Sequence, residues 1–269
     1  MKPRLNLTIF GLLAILCTQC SRYSYYMSPM HTVDHPYRPQ LLAADSATKA
    51  TFLNFSLSGA GYNDDLVDGA WLLQSSVFNT HKFGNFRGWY GGTIGFGTYD
   101  VAEYSGYNAF GNTDPNFINI HAGNASMGGV GVFGGLSVVT PIDDRAEWRV
   151  LSIETSYLKE FGQYLQFRNK MNDTLVDAFY NPSYFFTTAF GTEFATKTKK
   201  GSFGVKLNYI MDWNRLTGSF ENGKINPRQT AFTTTFHFGS GPVNYFLATG
   251  FGSYAFSMQF GMNFRLRQL

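Results

Sequence analysis

The chain of 269 residues is poor in cysteine, in charged residues and in long apolar runs. Its two cysteines, Cys17 and Cys20, lie close together near the N-terminus, so no disulfide framework stabilises the rest of the chain. No apolar run reaches the ~20 residues that a membrane-spanning helix needs. Charged residues make up 14% and the formal net charge is +3, which excludes the strongly basic surface typical of nucleic-acid-binding proteins.

Aromatic residues and glycine are abundant instead, since aromatics make up 17% of the chain and glycine occurs 29 times. The stretch 256–266 has a large apolar residue at every second position. The residues between them are small, polar or charged: Ser257, Gln259, Gly261, Asn263 and Arg265. A period of two indicates a β-strand with one apolar and one polar face. About ten alternating runs occur from Thr51 onward, so the sequence predicts an all-β protein.

The N-terminus has the layout of a secretory signal peptide, which we assign to residues 1–19. Lys2 and Arg4 precede an apolar run that is too short for a membrane anchor. The run ends at "LCTQC", which resembles a bacterial lipoprotein signal and predicts acylation of Cys20; ordinary cleavage nearby is the alternative. Residues 20–49 have no sustained period, and we interpret them as an N-terminal periplasmic tether or a plug-like segment.

The connections between the runs distinguish a membrane barrel from a soluble β-sandwich. Tight turns alternate with long polar connections, the turns near 141–144, 199–201 and 239–242 and the long connections near 101–125, 160–181 and 215–228. Outer-membrane barrels alternate short periplasmic turns with longer extracellular loops in this way. A sandwich needs no such regularity. The pattern therefore favours a closed antiparallel transmembrane barrel of about ten strands (about 8–12) that comprises residues 50–267.

The signal peptide, the alternating strands and the closing "MQFGMNFRL" together resemble outer-membrane β-barrel proteins of Gram-negative bacteria. The resemblance implies location in the bacterial outer membrane, contact with outer-membrane lipid, and recognition of the last strand by the barrel assembly machinery. In such a barrel the apolar faces meet lipid and the polar faces line the lumen. A lysine or arginine on the lipid face would cost roughly 2–4 kcal/mol near the midplane.

Two sets of residues follow from that orientation. The predicted polar network of the lumen comprises Glu154, Glu193, Lys206, Asn208, Asp212, His237, Gln259, Asn263 and Arg265. The predicted lipid-facing set comprises Phe203, Val205, Leu207, Tyr209, Met211, Trp213, Phe256, Met258, Phe260, Met262 and Phe264.

Two motifs could bind a cofactor or a metal, and each has a structural alternative. The stretch 129–134 (GVGVFG) matches a dinucleotide fingerprint, but it lies inside a β-run with no helix after it. Glycines that narrow the lumen or allow curvature explain it better. His31 and His35, with Asp34 between them, could ligate a metal on a helix, but Pro36 follows directly and no further ligand is evident. We therefore predict no cofactor and no metal site.

The expected function is that of a non-enzymatic structural or binding component of the cell envelope, acting through its extracellular loops, with an envelope protein as a candidate partner. An aqueous channel needs around sixteen strands, so we do not expect a non-specific porin. A narrow solute channel remains an alternative, as does a soluble periplasmic sandwich lipoprotein. A third alternative is a lipid-modifying enzyme that uses His237 with Ser240, although no orienting acid is identifiable. The loop segment with Arg168 and Lys170 could dock a partner or lipid head groups, or be an ordinary solvated loop.

Overall fold

The computed structural model shows a closed barrel with a segment of the same chain inside it. It describes residues 25–62, 68–101, 123–170, 178–199, 201–218, 228–252 and 255–268. The signal peptide assigned to residues 1–19 and the predicted acylation of Cys20 lie outside the described residues.

Ten long antiparallel strands form the barrel wall. In chain order they are β2 (Lys49–Tyr62), β3 (Asp68–Phe83), β4 (Phe86–Val101), β5 (Gly123–Pro141), β6 (Ala146–Phe161), β8 (Tyr184–Lys197), β9 (Ser202–Arg215), β11 (Arg228–Ser240), β12 (Val243–Gly252) and β13 (Ala255–Gln268). The barrel closes where β13 pairs with β2, from Ala255 opposite Tyr62 to Gln268 opposite Ala50. Closure pairs each wall strand on both sides, which removes sheet edges from the wall. The predicted barrel of about ten strands is confirmed.

Short elements lie outside the wall. Three two-residue strands, β1 (Tyr25–Tyr26), β7 (Ala178–Phe179) and β10 (Thr217–Gly218), form a small separate sheet. The helix α1 (Gln163–Arg168) follows β6. Within the described ranges, no helix is both long and apolar enough to cross a membrane.

The two faces of the wall are inverted relative to a soluble protein. In β2, Asn54 and Ser56 are buried inside the barrel, whereas Phe55 and Leu57 are 41% and 50% exposed on the outside. The other wall strands repeat this alternation. An apolar surface that surrounds a closed barrel matches lipid rather than water. The chain is therefore a bacterial outer-membrane β-barrel, as the sequence predicted.

Tryptophans mark the two ends of the apolar surface. Trp148 lies near the start of β6, and its indole N–H donates to the Thr192 hydroxyl at 2.8 Å. Trp213 lies near the end of β9 and donates to the Thr188 hydroxyl at 2.8 Å. Exposed aromatic rings with a satisfied polar atom are typical of the interfaces between lipid and water.

The wall strands are joined at two ends of the barrel. At the turn end the connections are all short, namely 84–85, 142–145, 198–201 and 241–242, and at the loop end the strands are joined between residues 62 and 68, 101 and 123, 161 and 184, 215 and 228, and 252 and 255. At the turn end, Gly84 and Gly241 have φ angles of 58° and 59°, which residues with a side chain rarely adopt. Because short turns of outer-membrane barrels face the periplasm, we take the turn end as periplasmic.

The segment before β2 crosses the lumen from the loop end to the turn end. Every residue from Tyr26 to Leu42 is buried, β1 pairs with β7 at the loop end, and β2 begins at the turn end. We call residues 26–42 the plug. The sequence left residues 20–49 as a periplasmic tether or a plug-like segment, and the structure places residues 26–42 of this range inside the lumen. The physical reason is that its polar side chains find their partners on the polar inner wall.

Candidate functional site

Hydrogen bonds from side chains of the wall to backbone carbonyls of the plug hold the plug at both ends. At the loop end the Tyr62 hydroxyl donates to the carbonyl of Pro29 at 2.7 Å. At the turn end Nε of Arg87 donates to the carbonyl of Leu41 at 2.7 Å. Because these donors lie on β2 and β4, the wall sets the path of a segment that has little regular structure of its own.

Glycine in β5 makes room for the plug. A Cβ atom at Gly129 would lie 2.6 Å from Sδ of Met30 and 2.6 Å from the Leu158 side chain. The stretch 129–134 is therefore wall against which the plug packs, and it is followed by more strand rather than by a helix. A dinucleotide loop needs a helix at this point.

The carboxylate of Glu154 is the central contact between the wall and the plug. It forms a buried ion pair with Arg38, and Nδ1 of His35 lies 2.6 Å from the same carboxylate. Its other oxygen accepts the indole N–H of Trp89 at 2.6 Å. The Arg38 guanidinium also lies 3.5 Å from the centre of the Phe133 ring. The Glu154 carboxylate of the wall thus contacts two side chains of the plug, Arg38 and His35.

Asp34 of the plug faces hydroxyl groups of the wall. It accepts hydrogen bonds from Thr187 at 2.7 Å and from Ser156 at 3.1 Å. Nε2 of His35 lies 2.8 Å from the Thr187 hydroxyl. These contacts satisfy Asp34 and orient the His35 ring between β6 and β8.

The histidines of the plug have different surroundings. Nε2 of His31 lies 3.2 Å from the carbonyl of Thr230, whereas His35 lies between Glu154 and Thr187. In the part of the chain that the structure describes, no group of three or more His, Cys, Asp or Glu side chains is placed to hold a metal ion.

A second group of buried charges lies on the wall towards the turn end. Arg149 donates from Nε to Glu147 at 2.8 Å and from Nη1 to Glu193 at 2.6 Å. Arg87 adds a contact of 3.3 Å to Glu147. The charges alternate in sign along this row, so each buried ion has a counter-ion, as buried ions require.

Glu193 connects that row to the plug. The Tyr37 hydroxyl donates to Glu193 at 3.2 Å, and Nε2 of His237 lies 3.0 Å from it. The rings of Tyr37 and His237 are stacked, with their centres 4.1 Å apart. His237 therefore belongs to a packed polar cluster.

The geometry does not support the alternative in which His237 acts with Ser240. His237 is buried in the lumen at 2% exposure, whereas Ser240 is exposed at the end of β11. Residues three apart on a strand point to opposite faces. Thus this pair is not arranged as a nucleophile with its base.

The loop end is closed by α1 and by stacked aromatic rings. Tyr164 of α1 stacks on Tyr99 with ring centres 3.8 Å apart, and burial raises the pKa of the Tyr164 hydroxyl well above its ordinary value. Arg168 is fully buried and pairs with Glu160, which also accepts from the Ser28 hydroxyl at 2.5 Å. Arg168 therefore holds α1 against the barrel. The sequence had left this loop segment either as a docking site for a partner or lipid head groups or as an ordinary solvated loop.

The predicted lumen residues divide into several clusters. Eight are buried inside the barrel, namely Glu154, Glu193, Lys206, Asn208, Asp212, His237, Gln259 and Asn263, and Arg265 is half-buried at the turn end. The structure brings Glu193 and His237 into contact. Lys206 lies 6.0 Å from the Trp89 ring.

The other predicted lumen residues have separate partners. Gln259 donates to Gln74 at 2.9 Å, and Asn263 accepts from Asn54 at 2.9 Å. Asp212 accepts the backbone N–H of Asn214 at 2.9 Å towards the loop end, and Asn208 lies 3.4 Å from the Thr233 hydroxyl. The lumen therefore contains pairs on its wall and charged clusters around the plug, and Asn263 joins the two because its amide also donates to the carbonyl of Tyr37 at 3.3 Å.

The predicted lipid-facing residues lie on the outer faces of β9 and β13. Six are clearly exposed: Phe203, Leu207, Tyr209, Trp213, Met258 and Phe260. The other five share those faces and are partly exposed: Val205, Met211, Phe256, Met262 and Phe264.

Sequence reasoning missed the charged pair at the start of β6 because the strand is irregular. Val150 and Leu151 are adjacent and both exposed, at 41% and 45%, and the pairing register of β6 shifts at this point. A β-bulge of this kind reverses which positions face inward. Before the bulge the inward-facing residues have odd numbers, such as Glu147 and Arg149, and after it they have even numbers, such as Glu154. Simple alternation does not reveal this change of phase.

The comparisons with known proteins are weak. No protein-family model matches the chain, and no curated protein matches it. The β-domain of the Bordetella autotransporter BrkA is similar over 81% of this chain and 100% of its own, at 9% identity and a TM-score of 0.42. The translocator domain of the autotransporter NalP from Neisseria meningitidis is similar over 84% and 91%, at 10% identity and 0.34. The Pseudomonas putida toluene transporter TodX covers 90% and 93%, at 6% identity and 0.30. Because these identities and TM-scores are low, no role of these proteins is assigned to this chain.

Proposed function

We propose that this outer-membrane barrel is a closed, non-enzymatic component of the cell envelope that acts through its loop end. The observation that carries the proposal is the plug, because residues 26–42 are buried throughout and pass through the lumen from end to end. A lumen filled in this way favours a structural or binding role over transport of solutes.

The anchoring of the plug supports a closed resting state. Glu154 contacts both His35 and Arg38, and Glu193 contacts Tyr37. Withdrawing the plug would leave buried carboxylates without these partners. Breaking a buried ion pair from one side typically costs about 3–5 kcal/mol, so spontaneous opening should be rare.

The loop end offers a surface for an envelope partner. Tyr164 and Arg168 fix one side of α1 to the barrel, and Gln163 and Gln166 are exposed on its other side. The longest connections of the chain also leave the wall at this end, and loops on a rigid scaffold commonly carry binding functions. We expect a polar partner, such as an envelope protein, to bind here.

Two further partners belong to the proposal. Outer-membrane lipid contacts the apolar outer surface, and the barrel assembly machinery recognises β13 during biogenesis. The last aromatic residue of that strand is Phe264, which is partly exposed on the outer face. The lipid-modifying alternative is disfavoured because His237 is held by Glu193 and Tyr37 inside the lumen.

Single-channel recording in planar bilayers tests the proposal. The complete protein should show no steady conductance, and a variant that lacks residues 26–42 should conduct, because a lumen with polar walls then opens to water. A shift in gel mobility between unboiled and boiled samples would show that both proteins are folded barrels.

Two outcomes would contradict the proposal. Steady conductance by the complete protein would favour the narrow solute channel. A folded variant without the plug that stays silent would mean that wall side chains alone close the lumen.

A further inference from the structure

The plug and the wall strand β6 run in opposite directions through the lumen. Strand β6 contacts the plug and the residue that follows it at four levels, which from the turn end to the loop end join Glu147 to Ala43, Glu154 to Arg38, Ser156 to Asp34, and Glu160 to Ser28. The residue numbers of β6 rise along this series while those of its partners fall. The chain therefore descends from the loop end to the turn end before it enters β2, and its N-terminal side lies at the loop end.

The N-terminal end of the plug is fixed at the loop end by hydrogen bonds. Strand β1 pairs with β7, which precedes the loop-end start of β8, and β7 also pairs with β10, which follows the loop-end finish of β9. The backbone N–H of Tyr180 donates to the carbonyl of Tyr26 at 2.9 Å. The Tyr164 hydroxyl donates to the carbonyl of Met27 at 2.9 Å. The residues that precede Tyr25 therefore join the barrel beside the connections of the loop end.

The two ends of the lumen are further apart than the residues before β1 can reach. Thirteen residue steps separate Glu147 from Glu160, which at about 3.3 Å a step is about 40 Å along the strand. With a strand tilt of about 40°, this corresponds to about 30 Å along the barrel axis. Five steps separate Cys20 from Tyr25, and they span at most about 18 Å. Cys20 therefore cannot lie at the turn end while the plug is in place.

We propose that the mature protein begins on the extracellular side of the outer membrane, and that the acyl group predicted on Cys20 anchors it to the outer leaflet. The plug sets this side, because the short turns at its other end face the periplasm. An acyl group in the inner leaflet would require the residues between Cys20 and Tyr25 to cross an apolar layer about 25 Å tall. Their backbone groups would find no hydrogen-bond partners in lipid.

The composition of the short segment before β1 fits this position. Arg22 and Tyr23 lie between Cys20 and β1, and arginine and tyrosine are common anchors at the interface between lipid and water. The lipid anchor and the loops of the proposed binding surface then lie on the same side of the membrane. This arrangement presents the N-terminus to the exterior of the cell and leaves the turn end as the periplasmic surface.

Epitope insertion tests the side on which the N-terminus lies. An epitope flanked by glycine–serine linkers is inserted between Arg22 and Tyr23 of the full-length chain, and antibody binding is measured on intact and on permeabilised cells. We expect equal signals from the two samples. The matched control carries the same insertion between Asp143 and Asp144, which are exposed at the turn end, and should give a signal only after permeabilisation. A mobility shift on boiling shows that both proteins are folded barrels.

Mass spectrometry of the protein purified from the outer membrane tests the lipid anchor. The intact mass should exceed that of residues 20–269 by the mass of the attached acyl groups. Arg22 is within about 7 Å of Cys20. An epitope detected outside the cell and an acyl group on Cys20 therefore together place the lipid in the outer leaflet.

Three results would overturn the proposal. An N-terminal epitope that is detected only after permeabilisation would place the N-terminus in the periplasm. A turn epitope that is detected on intact cells would reverse the orientation of the barrel. An intact mass equal to that of residues 20–269 would remove the lipid anchor. None of these experiments measures conductance, so the position of the N-terminus and the closed resting state can fail separately.

Discussion

Glu154→Gln should loosen the plug more than any single change on the outer surface, because this carboxylate joins the two parts of the molecule. Glu154 and Arg38 are 3% and 1% exposed. The substitution preserves the shape of the side chain and can still accept from Trp89. It removes the counter-charge of Arg38 in a place that water does not reach.

The expected magnitude follows from burial of the pair. Removing one partner of a buried ion pair typically costs 3–5 kcal/mol, and we expect about 3 kcal/mol because the glutamine amide retains some hydrogen bonding. Arg38→Met should cost a similar amount, since it leaves Glu154 with His35 and Trp89. The double variant should lose less than the sum of the two, with a coupling free energy of about 2 kcal/mol.

Two readouts check this double-mutant cycle. Urea unfolding from detergent, followed by tryptophan fluorescence, measures the free energy of unfolding. Hydrogen exchange of the amides in residues 26–42, compared with those of the wall strands, reports local opening of the plug. The exposed turn residue Asp144, replaced by Asn, is the control and should change neither. The reasoning would be refuted if each single variant lowered the free energy of unfolding by less than about 1 kcal/mol, if the two losses simply added in the double variant, and if amide exchange in the plug stayed unaltered.

Two other predictions concern the wall. Phe260→Arg places a charge on the outer face at a residue that is 51% exposed, and it should cost about 2–4 kcal/mol of folding free energy in vesicles. Asp144→Arg in an exposed turn should cost nearly nothing, and equal tolerance of the two would contradict a lipid-facing position for Phe260. Gly129→Ala should destabilise the barrel by about 1–3 kcal/mol through overpacking against Met30 and Leu158. Adding Met30→Ala to this variant should recover part of the lost free energy of unfolding, measured by urea unfolding. No recovery would mean that Met30 of the plug does not pack closely against Gly129.

The strands could be predicted from sequence because alternation is a local property. Each residue of β13 faces inward or outward according to its position alone, so alternation assigns Gln259 and Phe260 to opposite faces without knowledge of the neighbouring strands, and Gln259 is buried where Phe260 is exposed. The same logic fails at the bulge of β6. There the pairing partners decide where the phase changes, and Glu147 and Arg149 were missed for that reason.

The contacts of the plug could not be read from the chain. Residues 26–42 have no period, and the partners of Arg38 and Tyr37 lie 116 and 156 positions further along the sequence. The alternating runs and the lengths of their connections favoured a barrel with a lipid-facing exterior over a soluble sandwich, because both are local features of the chain. What fills the barrel depends on contacts between distant segments. Closure creates a polar lumen, and buried carboxylates such as Glu154 require partners that the N-terminal segment of the same chain provides.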